Sequence, residues 1–209
     1  MLLERYLCFL HRQRKKITYK RTNTNEVIDM VDSPNDSSKY ISMESFGINW
    51  FFYVEDMEIP EEDIKNIKPL SKDYSTFIWN MNINNRKHHF ALLSKDEKLS
   101  LSLTEMDYHW QQDWNNGTYE NLSNYLSENI ICKPSDKVIV FWQKEHSVET
   151  SWDIFLRHWA NFLFDDEGVI LVSRTYENIL LFTSDGMIQM GKRLWSNSYI
   201  LDKQEKIMK

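Results

Sequence analysis

Acids, a histidine, arginines and aromatic rings crowd one segment of this chain, residues 142–168, reading WQKEHSVETSWDIFLRHWANFLFDDEG. Glu145, His146 and Glu149 follow the end of an apolar run, a frequent location for site residues. A Glu/His pair there has the groups needed for general acid–base chemistry. Thr150, Arg157 and the later Arg174 add a hydroxyl and two guanidinium groups, and Trp142 supplies an aromatic wall. Together they outline a polar pocket at the N-terminus of the helix that follows. Asp165 and Asp166 offer carboxylates in an acidic turn, D-D-E-G, but without the alternating oxygen ligands of a calcium loop. E-H-x-x-E lacks a third or fourth ligand at defined spacing, so neither a metal nor a cofactor is expected. A purely structural account competes at the same residues. Thr150 and Asp153 have capping-box spacing, and Asp153 with Arg157 is an i, i+4 ion pair.

The elements that must position these groups are legible around them. Trp152, Phe155, Leu156, Trp159, Phe162 and Leu163 recur at helical spacing and define a buried face. Before that helix, 138–142 reads as an apolar strand. After it, 169–173, 179–183 and 187–191 read as short strands, with Ser184, Asp185 and Gly186 as a tight turn. Upstream, 49–54 reads as a strand, and Pro60 with Glu61, Glu62 and Asp63 starts a short helix. Ser71 caps a helix running to about Met81, and 88–93 reads as a further strand. Thr104 with Asp107 has capping-box spacing and opens a helix that Gly117 ends; the period then continues from Tyr119 to Ile130. The expectation is an α+β fold, with an antiparallel C-terminal meander packed against several amphipathic helices in a single core domain.

That domain spans 39–195. Residues 1–38 form a basic helix and a polar linker, and 196–209 a tail. The net charge of −6 conceals an asymmetry: residues 1–21 carry seven Lys/Arg against one acid, so the remainder is −12. A body this acidic repels phosphate backbones, which argues against nucleic-acid binding by the core and favours a basic protein partner. Two cysteines, Cys8 and Cys132, make no disulfide framework, and no apolar run reaches the length of a bilayer span. A cytoplasmic protein without a transmembrane segment is expected. There is no P-loop, G-x-G-x-x-G, G-x-S-x-G or H-E-x-x-H. Oligomeric state is not encoded in any of these features.

Val148-Glu149-Thr150-Ser151-Trp152, then Phe155, Arg157, Trp159, Asn161-Phe162-Leu163-Phe164, Asp165-Asp166 and Gly168, resembles the C-terminal signature of a bacterial domain-of-unknown-function family of small cytoplasmic proteins. Gly191-Lys192-Arg193 is similar to that family's ending, and 59–70 to its N-terminal half, so the likeness covers about 39–195. It implies no activity. By size and charge alone, the chain is similar in kind to the immunity proteins of bacterial toxin systems. The expected function is therefore protein binding, as an antitoxin or immunity protein masking a basic toxin domain. The alternative is a small enzyme or ligand-binding protein that uses the pocket near the signature helix.

Overall fold

Three nearly uninterrupted apolar runs, 138–142, 169–172 and 179–182, lie side by side in the middle of one sheet. Such runs, rather than alternating ones, are what strands covered on both faces require. The structure, a computed structural model, describes residues 39–164, 168–175 and 177–193. In chain order its elements are α1 (Glu61–Ile64), β1 (Lys68–Pro69), α2 (Lys72–Asn82), α3 (Lys95–Ser100), β2 (Thr104–His109), α4 (Trp110–Asn116), α5 (Tyr119–Asn129), β3 (Lys137–Gln143), β4 (His146–Ser151), α6 (Trp152–Phe162), β5 (Val169–Ser173), β6 (Asn178–Phe182) and β7 (Met187–Lys192). Short 3-10 turns add Met43–Ser45, Asn49–Phe52 and Phe90–Leu92. The basic helix and linker before Lys39, the acidic turn at Asp165, Asp166 and Glu167, and the tail from 196 lie outside the described residues.

The sheet is antiparallel and open, with strand order β1-β4-β3-β5-β6-β7-β2. The fold is α+β, with β5, β6 and β7 as the expected meander. Val138, Val140 and Trp142 of β3 join Val148, Leu171, Leu180 and Phe182 in one core, under Trp152, Phe155, Trp159 and Phe162 of α6 and Leu122 and Leu126 of α5. Ile139 and Phe141 point the other way, into a second core with Ile170, Val172, Leu181 and Tyr74, Ile78 and Trp79 of α2. The period of two along β3 therefore feeds two cores at once. Two glycines set turns that need positive φ: Gly117 closes α4 at φ 67°, and Gly186 turns β6 into β7 at φ 85°.

Four local expectations are corrected. Residues 49–52 are a 3-10 turn, not a strand. Phe51 and Phe52 are both buried, whereas a strand would send neighbouring rings to opposite faces. Phe90–Leu92 is likewise a 3-10 turn, capped by the His89 ring, which accepts from the Ala91 N–H at 3.1 Å. Thr104 opens no helix; it pairs with Met190 at the sheet edge, and the helix starts only at Trp110. Thr150 is not a cap either. Strand β4 runs through it, so the α6 cap falls one residue later, where Ser151 Oγ accepts from the Ile154 N–H at 3.2 Å.

Candidate functional site

Among the described residues, those singled out in the signature do not converge on one pocket. Alternation along β4 sends Val148 into the core under α6 and Glu149 to the opposite face, beside Tyr40 and Lys39. Thr150 pairs with Val138, is buried, and its hydroxyl has no hydrogen-bond partner. Trp142 lies in the α6 core, donating Nε1–H to the Phe162 carbonyl at 2.9 Å. Glu145 sits on the exposed β3–β4 turn and pairs with Lys72 at 2.8 Å. His146 contacts Gln143, and burial pushes its pKa below the ordinary histidine value. Arg157 projects from the outer side of α6. Asp165 and Asp166 lie outside the described residues.

Trp142, His146, Glu149 and Arg157 share a different neighbour, the chain between 40 and 64. This run contains seven carboxylates (Glu44, Glu55, Asp56, Glu58, Glu61, Glu62 and Asp63) and no Lys, Arg or His. It begins at the β1 edge, where Tyr40 bridges Leu70 and the Ile41 N–H donates to the Pro69 carbonyl at 3.0 Å. Glu149 fixes that end. It accepts from Tyr40 Oη at 2.7 Å and from Lys39 Nζ at 3.3 Å, with Arg174 Nε 4.0 Å away. Burial, with the Glu149 carboxylate, raises the Tyr40 phenol above its usual value. Arg174 in turn donates to Tyr74 Oη at 3.4 Å.

The middle of the run is held by Asn161, which is 3% exposed and donates Nδ2–H to the carbonyls of Phe51 and Met57, both at 3.0 Å. Trp142 packs beneath it, with ring centroids 6.0 Å from Phe46, 5.6 Å from Phe51 and 6.1 Å from Phe52. The far end is tied by Asp63, a carboxylate only 6% exposed. Arg157 grips it through both terminal nitrogens, Nη2 at 3.0 Å, and His158 Nε2 lies 2.8 Å from Oδ2. Helix α6 leaves helical geometry at His158 itself. Burial disfavours the Asp63 anion, but the bonds from Arg157 and His158 outweigh it and hold the pKa below the usual carboxylate value.

The outcome is a fixed strap that turns its other side outward. Glu44, Glu55, Asp56, Glu58, Glu61 and Glu62 are exposed, as are Trp50 at 43% and Tyr53 at 59%. Glu61 pairs with the equally exposed Lys65 at 2.8 Å. Among the described residues no group of three or more His, Cys, Asp or Glu is placed to hold a metal ion, and no helix is long and apolar enough to cross a membrane. Sequence reasoning passed over this strap. Its signal was present in the unbroken acidity of 40–64, diluted there by the charge of the whole chain.

An open antiparallel sheet between two helical layers, with one helix stapling an acidic strap, defines an α+β domain. Residues 40–191 match the family model described as protein of unknown function, DUF2947, and the chain belongs to that family. No curated protein and no solved structure matches the chain. The matched region opens at Tyr40, where the strap begins, and closes in β7.

Proposed function

We propose that this chain works by binding another protein, masking a basic surface in the manner of an immunity or antitoxin protein. The observation that carries this reading is the strap. Its interior side is held by ion pairs and buried hydrogen bonds, while its outer side offers six carboxylates and the Trp50 and Tyr53 rings. Aromatic anchors dominate interface energetics, and exposed carboxylates around them select a cationic partner and accelerate its approach. Pre-ordering supports the same reading, because a strap already fixed loses little conformational entropy on association.

The test uses the full chain co-expressed with the product of each adjacent gene, followed by association kinetics across ionic strength. A complex is expected whose on-rate falls steeply with salt, since steering is screened beyond about 8 Å at physiological ionic strength. Simultaneous Glu55→Lys, Asp56→Lys and Glu58→Lys should slow its formation, and Trp50→Ala should speed its dissociation, in variants that remain folded. A complex indifferent to all four changes would overturn the reading.

A further inference from the structure

Among the described residues three carboxylates are buried: Asp63, Glu149 and Asp113, at 6%, 7% and 8% exposure. The first two have cationic partners, Arg157 with His158 and Lys39 with Arg174. Asp113, on α4, has none among the described residues. Its donors are all neutral: Thr118 Oγ1 at 2.8 Å, Asn121 Nδ2 at 2.9 Å and the Tyr108 hydroxyl. Burial opposes ionisation of Asp113, yet these three bonds prevail and keep its pKa below the ordinary value. A buried negative charge without a counter-ion is rare, because buried charges are normally paired.

This charge also borders open space. A cavity of about 470 Å³ is lined by Asp107, Tyr108, His109, Gln112, Asp113 and Met187. It forms where edge strand β2 breaks register with β7 between Met106 and His109, a bulge that takes Asp107 and Tyr108 out of the ladder. The lining contains two carboxylates and one imidazole, His109, and no Lys or Arg. Tyr108 stacks on Tyr125 with centroids 4.2 Å apart, which fixes its ring at the cavity wall. Its volume falls within the range of small-molecule sites. Among the described residues no group of three or more His, Cys, Asp or Glu is placed to hold a metal ion, and an organic cation can pair with a single buried carboxylate.

We propose that this cavity binds an alkylammonium group, carried by a free amine or by a lysine side chain, with Asp113 as its buried counter-ion, Asp107 at the rim and Tyr108 as its aromatic wall. The site is independent of the strap: its residues come from β2, α4 and β7, at the opposite end of the strand order from β1.

The test is amide-resolved NMR titration of the full chain with cadaverine, with Nα-acetyl-lysine methylamide, and with 1-pentanol as an uncharged chain of similar length. Cadaverine should produce saturable shifts at Gln112 and Met187 that pentanol does not. Asp113→Asn should weaken binding about tenfold, the loss expected for one charge-assisted partner. Met187→Lys, which places an ammonium in the cavity, should abolish binding while Met187→Leu preserves it, so the site is still tested if Asp113→Asn fails to fold. Saturation by cadaverine alone assigns the site to free amines; saturation by both ligands assigns it to lysine side chains as well. Absence of saturable shifts, equal shifts with pentanol, or binding undiminished in Met187→Lys would show that Asp113 only braces the α4–α5 connection.

Discussion

Glu149 and Asp113 are equally buried acids near opposite ends of one sheet, and they are satisfied in opposite ways. Glu149 is met by Lys39 and Arg174 with a tyrosine hydroxyl between; Asp113 is met by three neutral donors beside a cavity. At the first edge the carboxylate is neutralised internally and the product is position, because the network fixes where the acidic strap starts. At the second edge the hydrogen bonds are complete but the charge is not cancelled. The contrast separates satisfying a carboxylate's lone pairs from neutralising it, and only the second kind of site retains attraction for a cation.

The largest effects should come from removing the ring beneath each region. Trp142 supports the strap through Phe46, Phe51 and Phe52, whereas Trp159 supports α4 and α5 through Trp110, Trp114 and Tyr119. Each Trp→Ala change should cost about 3–5 kcal/mol in chemical denaturation, the range for a buried large aromatic. Native-state hydrogen exchange should then separate them, with Trp142→Ala loosening amides of 46–57 and Trp159→Ala those of 110–126. Identical exchange patterns would mean that the two regions are one cooperative unit.

Acid and salt should distinguish the paired from the unpaired charge. Asp63 and Asp113 both have pKa values lowered on folding, so the unfolded chain takes up their protons first. Their contributions are complete above the unfolded value near 3.9 and are lost as pH falls through the lower folded values. Asp63→Asn and Asp113→Asn should each cost about 1–3 kcal/mol at neutral pH and flatten acid unfolding below about pH 4. The Asp63 effect should shrink in high salt, since Arg157 is 47% exposed, while that of Asp113 should not, since its donors are neutral. Equal salt dependence would remove the distinction drawn between the two sites.

Both regions were only partly legible in the sequence, for reasons the residues make plain. Strands β3, β5 and β6 are apolar enough to be read directly, and the α6 stripe announces a buried helix. Strand β4, H-S-V-E-T-S, reads as a polar loop because Ser147 and Glu149 are buried against polar partners, Ser75 and Tyr40, supplied from far along the chain. The bonds that define the strap join residues 94 to 110 positions apart, Arg157 to Asp63 and Asn161 to Phe51 among them. No local period encodes such a pairing. Thr104–Asp107 matches a capping box by spacing, but sheet pairing with β7 overrides that local preference. Asp113 falls where a helix was expected, and its lack of a counter-ion emerges only once neighbouring elements are in place.

The smallest expected effect tests how the signature itself meets the strap's neighbour β4. Thr150 and Ser151 are adjacent hydroxyls with different duties: Ser151 caps α6, whereas the Thr150 hydroxyl is buried without a partner. Ser151→Ala should cost about 1 kcal/mol, as loss of a helix N-cap does. Thr150→Val keeps the branched shape and removes an unsatisfied hydroxyl, so it should be neutral or stabilising by up to about 1 kcal/mol. Thermal unfolding of the two variants beside the parent chain measures the difference. A destabilised Thr150→Val with an unaffected Ser151→Ala would return the cap to Thr150 and shorten β4.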